Sequence, residues 1–221
     1  MSRHLPPGDP GRWRGLLEGL AAGMGLCLFA LLVHRGGALR VVSFAGLGLV
    51  AVLLARSVLG ARSSAALFGL VPLTPKLAWW VPVALAFGTG TAIAYRLHLG
   101  ESCLPHSLTW FSVVAVAIGG TEELFYRGYL QGRGAFLGAP VAVALAAAFH
   151  TAYKAALFVL PNPAAAPTDL LFLAGATLIG GAALGVSRVL SRSVLPPLLA
   201  HVLFDLIVYG GRSQAPWWVW S

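Results

Sequence analysis

Five residues with chemical potential stand inside apolar stretches of this chain: Glu122, Glu123 and Asp205, with His150 and His201. A carboxylate in lipid costs roughly 3 kcal/mol on insertion scales. Three unpaired ones would cost about 9 kcal/mol, comparable with the whole stability of a domain. Such residues persist where they pair inside a helical bundle and act there. A carboxylate beside imidazoles is equipped for acid–base work on water.

Spacing assigns partners. In TEELFYRGYL, Glu123 and Arg127 are i,i+4 on one helix, in the order that favours an ion pair. Glu122 is rotated by about 100° from Glu123, so the guanidinium cannot serve both equally. One acid is expected to be neutralised and the other left free to act as a base. In PPLLAHVLFD, His201 and Asp205 are again i,i+4, after a Pro-Pro pair suited to a helix start.

Helices must bring these groups together. Apolar runs near 15–33, 41–60, 77–96, 108–132, 138–160, 170–190 and 193–210 predict an all-α, polytopic transmembrane bundle of about seven spans. Counted from Arg133, Gly138 and Arg192 as the ends of their helices, Glu122, His150 and His201 lie roughly 13–18 Å from the same membrane face. Three ionisable groups from three helices can therefore meet in one layer. Residues 61–76 are too short and mixed to span and read as an interfacial elbow. PNPAAAPT at 161–168 reads as a proline-rich loop, and the terminal WWVWS as an aromatic interface anchor.

Composition supports the membrane class. Of the 221 residues, 58% are apolar and only 10% charged, with a mean hydropathy of +0.81. Soluble domains carry about 25% charged residues. The net charge of +8 is spread singly or in pairs between apolar runs, as topology signals are, which argues against nucleic-acid binding. The two cysteines form no disulfide framework. Arg3, Arg12, Arg14, Arg56, Arg62, Lys76, Arg127, Arg133, Arg188 and Arg192 fall on one side of a seven-span arrangement, and Arg35, Arg40, Arg96, Lys154 and Arg212 on the other; ten against five predicts a cytoplasmic N-terminus. Glu18 reads as an i,i+4 partner of Arg14, and Gly19/Gly23 and Gly181/Gly185 as close-packing small-residue pairs.

At these motifs the sequence resembles the CPBP family, the CAAX-protease and bacteriocin-processing group of intramembrane enzymes. EELFYRG, from Glu122 to Gly128, resembles its first motif, and His150 the histidine of its second. The aromatic residue often found four positions earlier is replaced here by Ala146. His201 with Asp205 resembles the last motif. The resemblance spans roughly residues 60–210. It divides the chain into N-terminal membrane helices (1–60), a protease core (61–211) and an aromatic tail (212–221).

The resemblance implies peptide-bond hydrolysis in the membrane. Glu122 would activate a water held jointly with His150, Glu123 and Arg127 would set charge and position, and His201 with Asp205 would serve the developing oxyanion. No cofactor or metal is expected, since a glutamate-activated water needs none and no HExxH is present. The expected partners are the lipid bilayer and a membrane-embedded or membrane-anchored protein or peptide substrate, with no nucleic acid. The expected location is a bacterial inner membrane. A non-catalytic or immunity-type protein of the same fold and a transporter or proton relay are the competing readings, with a zinc enzyme, in which a glutamate and two histidines would ligate the metal, ranked lower. A relay usually shows inverted repeats and broken helices, which the sequence does not display.

Overall fold

The computed structural model describes residues 10–33, 35–61, 63–72, 74–159 and 169–211, and these form an all-helical bundle. The proline-rich loop and the aromatic tail lie outside them. The helices are α1 (Pro10–Leu32), α2 (Gly37–Leu59), the short α3 (Ser64–Leu67), α4 (Pro75–His98), α5 (Trp110–Glu123), α6 (Gln131–Gly134), α7 (Ala139–Phe158), α8 (Leu170–Ser191) and α9 (Leu195–Val208). A π-helical segment, Leu124–Leu130, joins α5 to α6 without a break, and a 3₁₀ turn, Ala135–Leu137, follows α6. Local sequence sets several starts. Thr74 accepts from the backbone N–H of Leu77 ahead of Pro75, and Asp169 accepts from Phe172 at the head of α8.

Five helices, α1, α2, α4, α7 and α8, are long and apolar enough to cross a membrane. With α5–π–α6 and α9 they account for the expected seven. The last two fall short of a plain span, and both carry ionisable residues. Residues 110–134 change helix type midway. α9 has 14 residues and so reaches only about 21 Å, less than a full bilayer core.

The packing order places α9 at the centre, against α4, α5 and α8, while α7 lies between α1 and α8. The N-terminal pair, α1 and α2, packs onto the π segment. Ala22 and Val50 meet Phe125, Tyr126, Tyr129 and Leu130 in one buried cluster, and the Ser57 and Tyr129 hydroxyls lie 2.8 Å apart. The elbow is docked, not loose at the interface. The Gly69 carbonyl accepts from Val194 N–H at 3.0 Å, and Phe68 backbone lies so close to Gly128 that a Cβ there would stand 2.7 Å from its carbonyl oxygen.

Candidate active site

The π segment begins directly after Glu123 and holds Arg127, all of it buried from Phe125 to Leu130. π turns are rare and concentrate at functional sites, because the wider turn re-aims side chains. Here it directs Arg127 inward. The guanidinium is fully buried, with Nη1 3.1 Å from Glu123 Oε1 and 2.9 Å from His150 Nδ1. Gly181 makes the room, since a Cβ there would lie 2.7 Å from Arg127 Nη2. Its helical neighbour Gly185 accepts from Gln131 Nε2 at 2.9 Å. The Gly181/Gly185 pair thus admits polar side chains as well as close helix packing.

Arginine can only donate, so His150 Nδ1 must accept and the ring proton sits on Nε2. That Nε2 lies 3.1 Å from Glu122 Oε2 and donates to it. The ring is also held by Tyr126, with centroids 4.7 Å apart, so aromatic support comes from the π segment and buried Ala146 leaves space beside it. Both ring nitrogens of His150 are thus engaged by protein groups, Nδ1 by Arg127 and Nε2 by Glu122.

Glu122 is not left free, contrary to the reading from spacing. Lys154 Nζ lies 2.7 Å from its Oε1. Lys154 was expected to mark the outer face, yet it stands one helical turn after His150 on α7 and turns inward. The i,i+4 spacing of His150 and Lys154 was the available signal. Its inward position answers a deficit visible in the sequence, where three interior acids had one guanidinium between them.

His201 also departs from its expected pairing. Its Nδ1 donates to Glu123 Oε1 at 2.8 Å, while Nε2 stands 3.7 Å from Asp205 Oδ2 and 3.8 Å from Glu122 Oε2. The i,i+4 pair with Asp205 is therefore an ion-pair contact beyond hydrogen-bond range, and Glu123 fixes the ring. Asp205 packs against Gly119, where a Cβ would collide with the carboxylate. All six residues, Glu122, Glu123, Arg127, His150, His201 and Asp205, thus share one buried cluster, joined by Lys154. Among the described residues no group of three or more His, Cys, Asp and Glu side chains is arranged to hold a metal ion.

A second residue missed in the sequence sets the position of α9. Arg96, buried at the end of α4, donates through Nη1 to the carbonyls of Ile207 (3.1 Å), Val208 (3.4 Å) and Gly210 (3.4 Å) and pairs with Glu101 at 3.0 Å. A cation on the last carbonyls of a helix satisfies its orphan acceptors and its dipole. Arg96 so anchors the helix that presents His201 and Asp205.

Residues 104–207 match the family model described as Type II CAAX prenyl endopeptidase Rce1-like. The match covers a little under half of the chain and agrees with the resemblance to the CPBP family. It runs from the connection before α5 to nearly the end of α9 and contains every residue of the cluster. At the family level the match supports a CAAX protease-type endopeptidase, and together with the long apolar helices it supports an integral membrane protein. No curated protein and no solved structure matches the chain.

Proposed function

We propose that the chain is a glutamate-type intramembrane endopeptidase. The observation that carries this reading is the position of His201 Nε2, which stands 3.8 Å from Glu122 Oε2 across α5 and α9 and 3.7 Å from Asp205 Oδ2 on its own helix. That spacing is too long for direct hydrogen bonds and suits groups that meet through a reacting molecule. Glu122 takes a proton from water as its oxygen attacks the scissile carbonyl carbon. His201, oriented through Nδ1–H by ionised Glu123, points Nε2 at the same centre and, when protonated, donates to the oxyanion or the leaving amine. Glu122 returns the proton as the C–N bond breaks, giving a carboxylate and an amine.

The charge balance supports this assignment. Three carboxylates stand against Arg127, Lys154 and a protonated His201, a neutral cluster suited to a low-dielectric interior. An apolar crevice between α4, α8 and α9 is lined by Trp80, Val83, Phe87, Leu184 and Ala200, the last of these next in sequence to His201. It would admit an apolar chain laterally, consistent with a membrane-anchored protein or peptide precursor as substrate. We place the protein in a bacterial inner membrane with its N-terminus in the cytoplasm, on the arginine distribution and the Ala/Gly/Leu/Arg-rich composition.

The test is cleavage of a membrane-anchored reporter by purified, reconstituted protein, with Glu122→Gln and a chelator as parallel arms. The amide keeps an acceptor for Lys154 but cannot take a proton, so activity should fall by about 10²–10⁴ or more while folding survives. Wild-type rates in the Gln variant would refute the glutamate mechanism. Loss of wild-type activity on chelation alone would favour a metal hydrolase, and a folded wild type that cleaves no reporter would favour the non-catalytic reading.

A further inference from the structure

At the end of the bundle away from the α4–α5 connection, α1, α2, α3 and α6 line an open cavity of about 260 Å³. Its charged lining is Arg14, Arg56 and Arg133 against a single acid, Glu18. Glu18 is engaged by Arg14 at 3.1 Å. Arg133 rests against the Tyr129 ring at 5.4 Å, beside Gly15, and its buried Nε has no hydrogen-bond partner among the described residues. Ser57 at the floor is held by Tyr129. The lining therefore has an excess of guanidinium donors and a buried donor unsatisfied, which is the chemistry of an anion site.

Surroundings bear on the source of the anion. Trp13, Leu17 and Leu59, each next in sequence to a lining residue, are 50%, 62% and 86% exposed. Apolar surface thus flanks the basic cavity near the start of α1 and the end of α2, two helices long and apolar enough to cross a membrane. Basic pockets between transmembrane helices on the cytoplasmic side take lipid phosphates.

We propose that this cavity binds a phosphate group, supplied by the headgroup of an anionic lipid, with Arg56 and Arg133 as its principal ligands. The site stands apart from the Glu122 cluster and does not depend on the protease reading. It meets the remainder of the protein through Tyr129 and Arg133, which lie on the same continuous helix as Arg127.

The experiment is native mass spectrometry of the delipidated full chain, titrated separately with phosphatidylglycerol, phosphatidylcholine and inorganic phosphate. Wild type should retain phosphatidylglycerol in preference to phosphatidylcholine. Each lost arginine should weaken that binding roughly 5-fold, and the Arg56→Gln/Arg133→Gln pair about 25-fold. Glu18→Gln removes the opposing charge and should tighten it by roughly 5-fold, which gives a reversed sign in a second variant should the double one fail to fold. Equal retention of the two lipids by wild type, or unchanged affinity in the arginine variants, would overturn the proposal. Displacement of phosphatidylglycerol by equimolar inorganic phosphate would overturn the lipid as the source.

Discussion

Lys154 Nζ lies 2.7 Å from Glu122 Oε1, on the opposite side of that carboxylate from the His150 contact at Oε2. The general base proposed here is thus held at both oxygens, and Oε2 also faces His201 Nε2 at 3.8 Å. A buried carboxylate so held cannot swing toward solvent, and its charge is matched from a neighbouring helix.

Removing that ammonium should be costly in a specific way. Lys154→Met leaves Glu122 buried without its cation, a loss of about 3–5 kcal/mol for a broken buried pair. Thermal unfolding in detergent should show it, together with lost cleavage. Adding Glu122→Gln to the same chain should restore most of the stability and none of the activity. A Lys154→Met protein as stable as wild type would mean the ion pair is not formed in the membrane.

Arg127→Ala removes one group that serves two partners, Glu123 and His150. Low yield and a lowered unfolding temperature should accompany complete loss of activity, on the same scale of several kcal/mol. A well-expressed, stable variant would show that Glu123 reaches water.

Glycine contacts offer a test free of charge removal. A side chain at Gly181 meets the Arg127 guanidinium, whereas at adjacent Gly180 it meets nothing within 4 Å. Gly181→Val should therefore reproduce the loss of activity of Arg127→Ala. Gly180→Ala should keep activity and gain up to about 1 kcal/mol from helix propensity. Equal behaviour of the two variants would remove Gly181 from the support of the site.

Asp205 separates two ways of serving His201. Asparagine keeps the size that Gly119 accommodates and supplies an N–H donor, so Asp205→Asn should remain partly active. Asp205→Leu offers neither charge nor donor and should lose about 10²-fold or more in kcat. Full activity in the Leu variant would reduce Asp205 to helix packing.

Orientation can be read from a native residue. Cys103 is exposed in the α4–α5 connection. A membrane-impermeant thiol reagent should label it in intact cells, and should label Ser64→Cys in a Cys103→Ser background only after permeabilisation. The inverse pattern would invert the topology.

The spans were legible because twenty-residue apolar runs have few alternative uses, and the i,i+4 pairing of Glu123 with Arg127 follows from helix geometry alone. What sequence reasoning could not reach was rotation between helices. The charges of Lys154 and Arg96 sit near the ends of their runs, where a topology signal and an inward partner look alike. His201 chose Glu123 over its own i,i+4 neighbour because α5 and α9 pack face to face, a relation that no spacing along one helix encodes. The π segment was equally hidden, since its i→i+5 pattern leaves no mark in the order of apolar residues.

That π segment also carries a surplus residue. A single deletion between Leu124 and Leu130 would let the backbone relax to an ordinary α-helix with little loss of hydrogen bonding. Because a π turn takes up one residue more than an α turn, the helix on either side would keep nearly its facing, with Glu122 and Glu123 before it and Gln131 and Arg133 after it. The interior of the stretch would move instead, and with it the Arg127 guanidinium that reaches Glu123 and His150. The bundle could thus absorb the loss of one residue here while the active cluster could not.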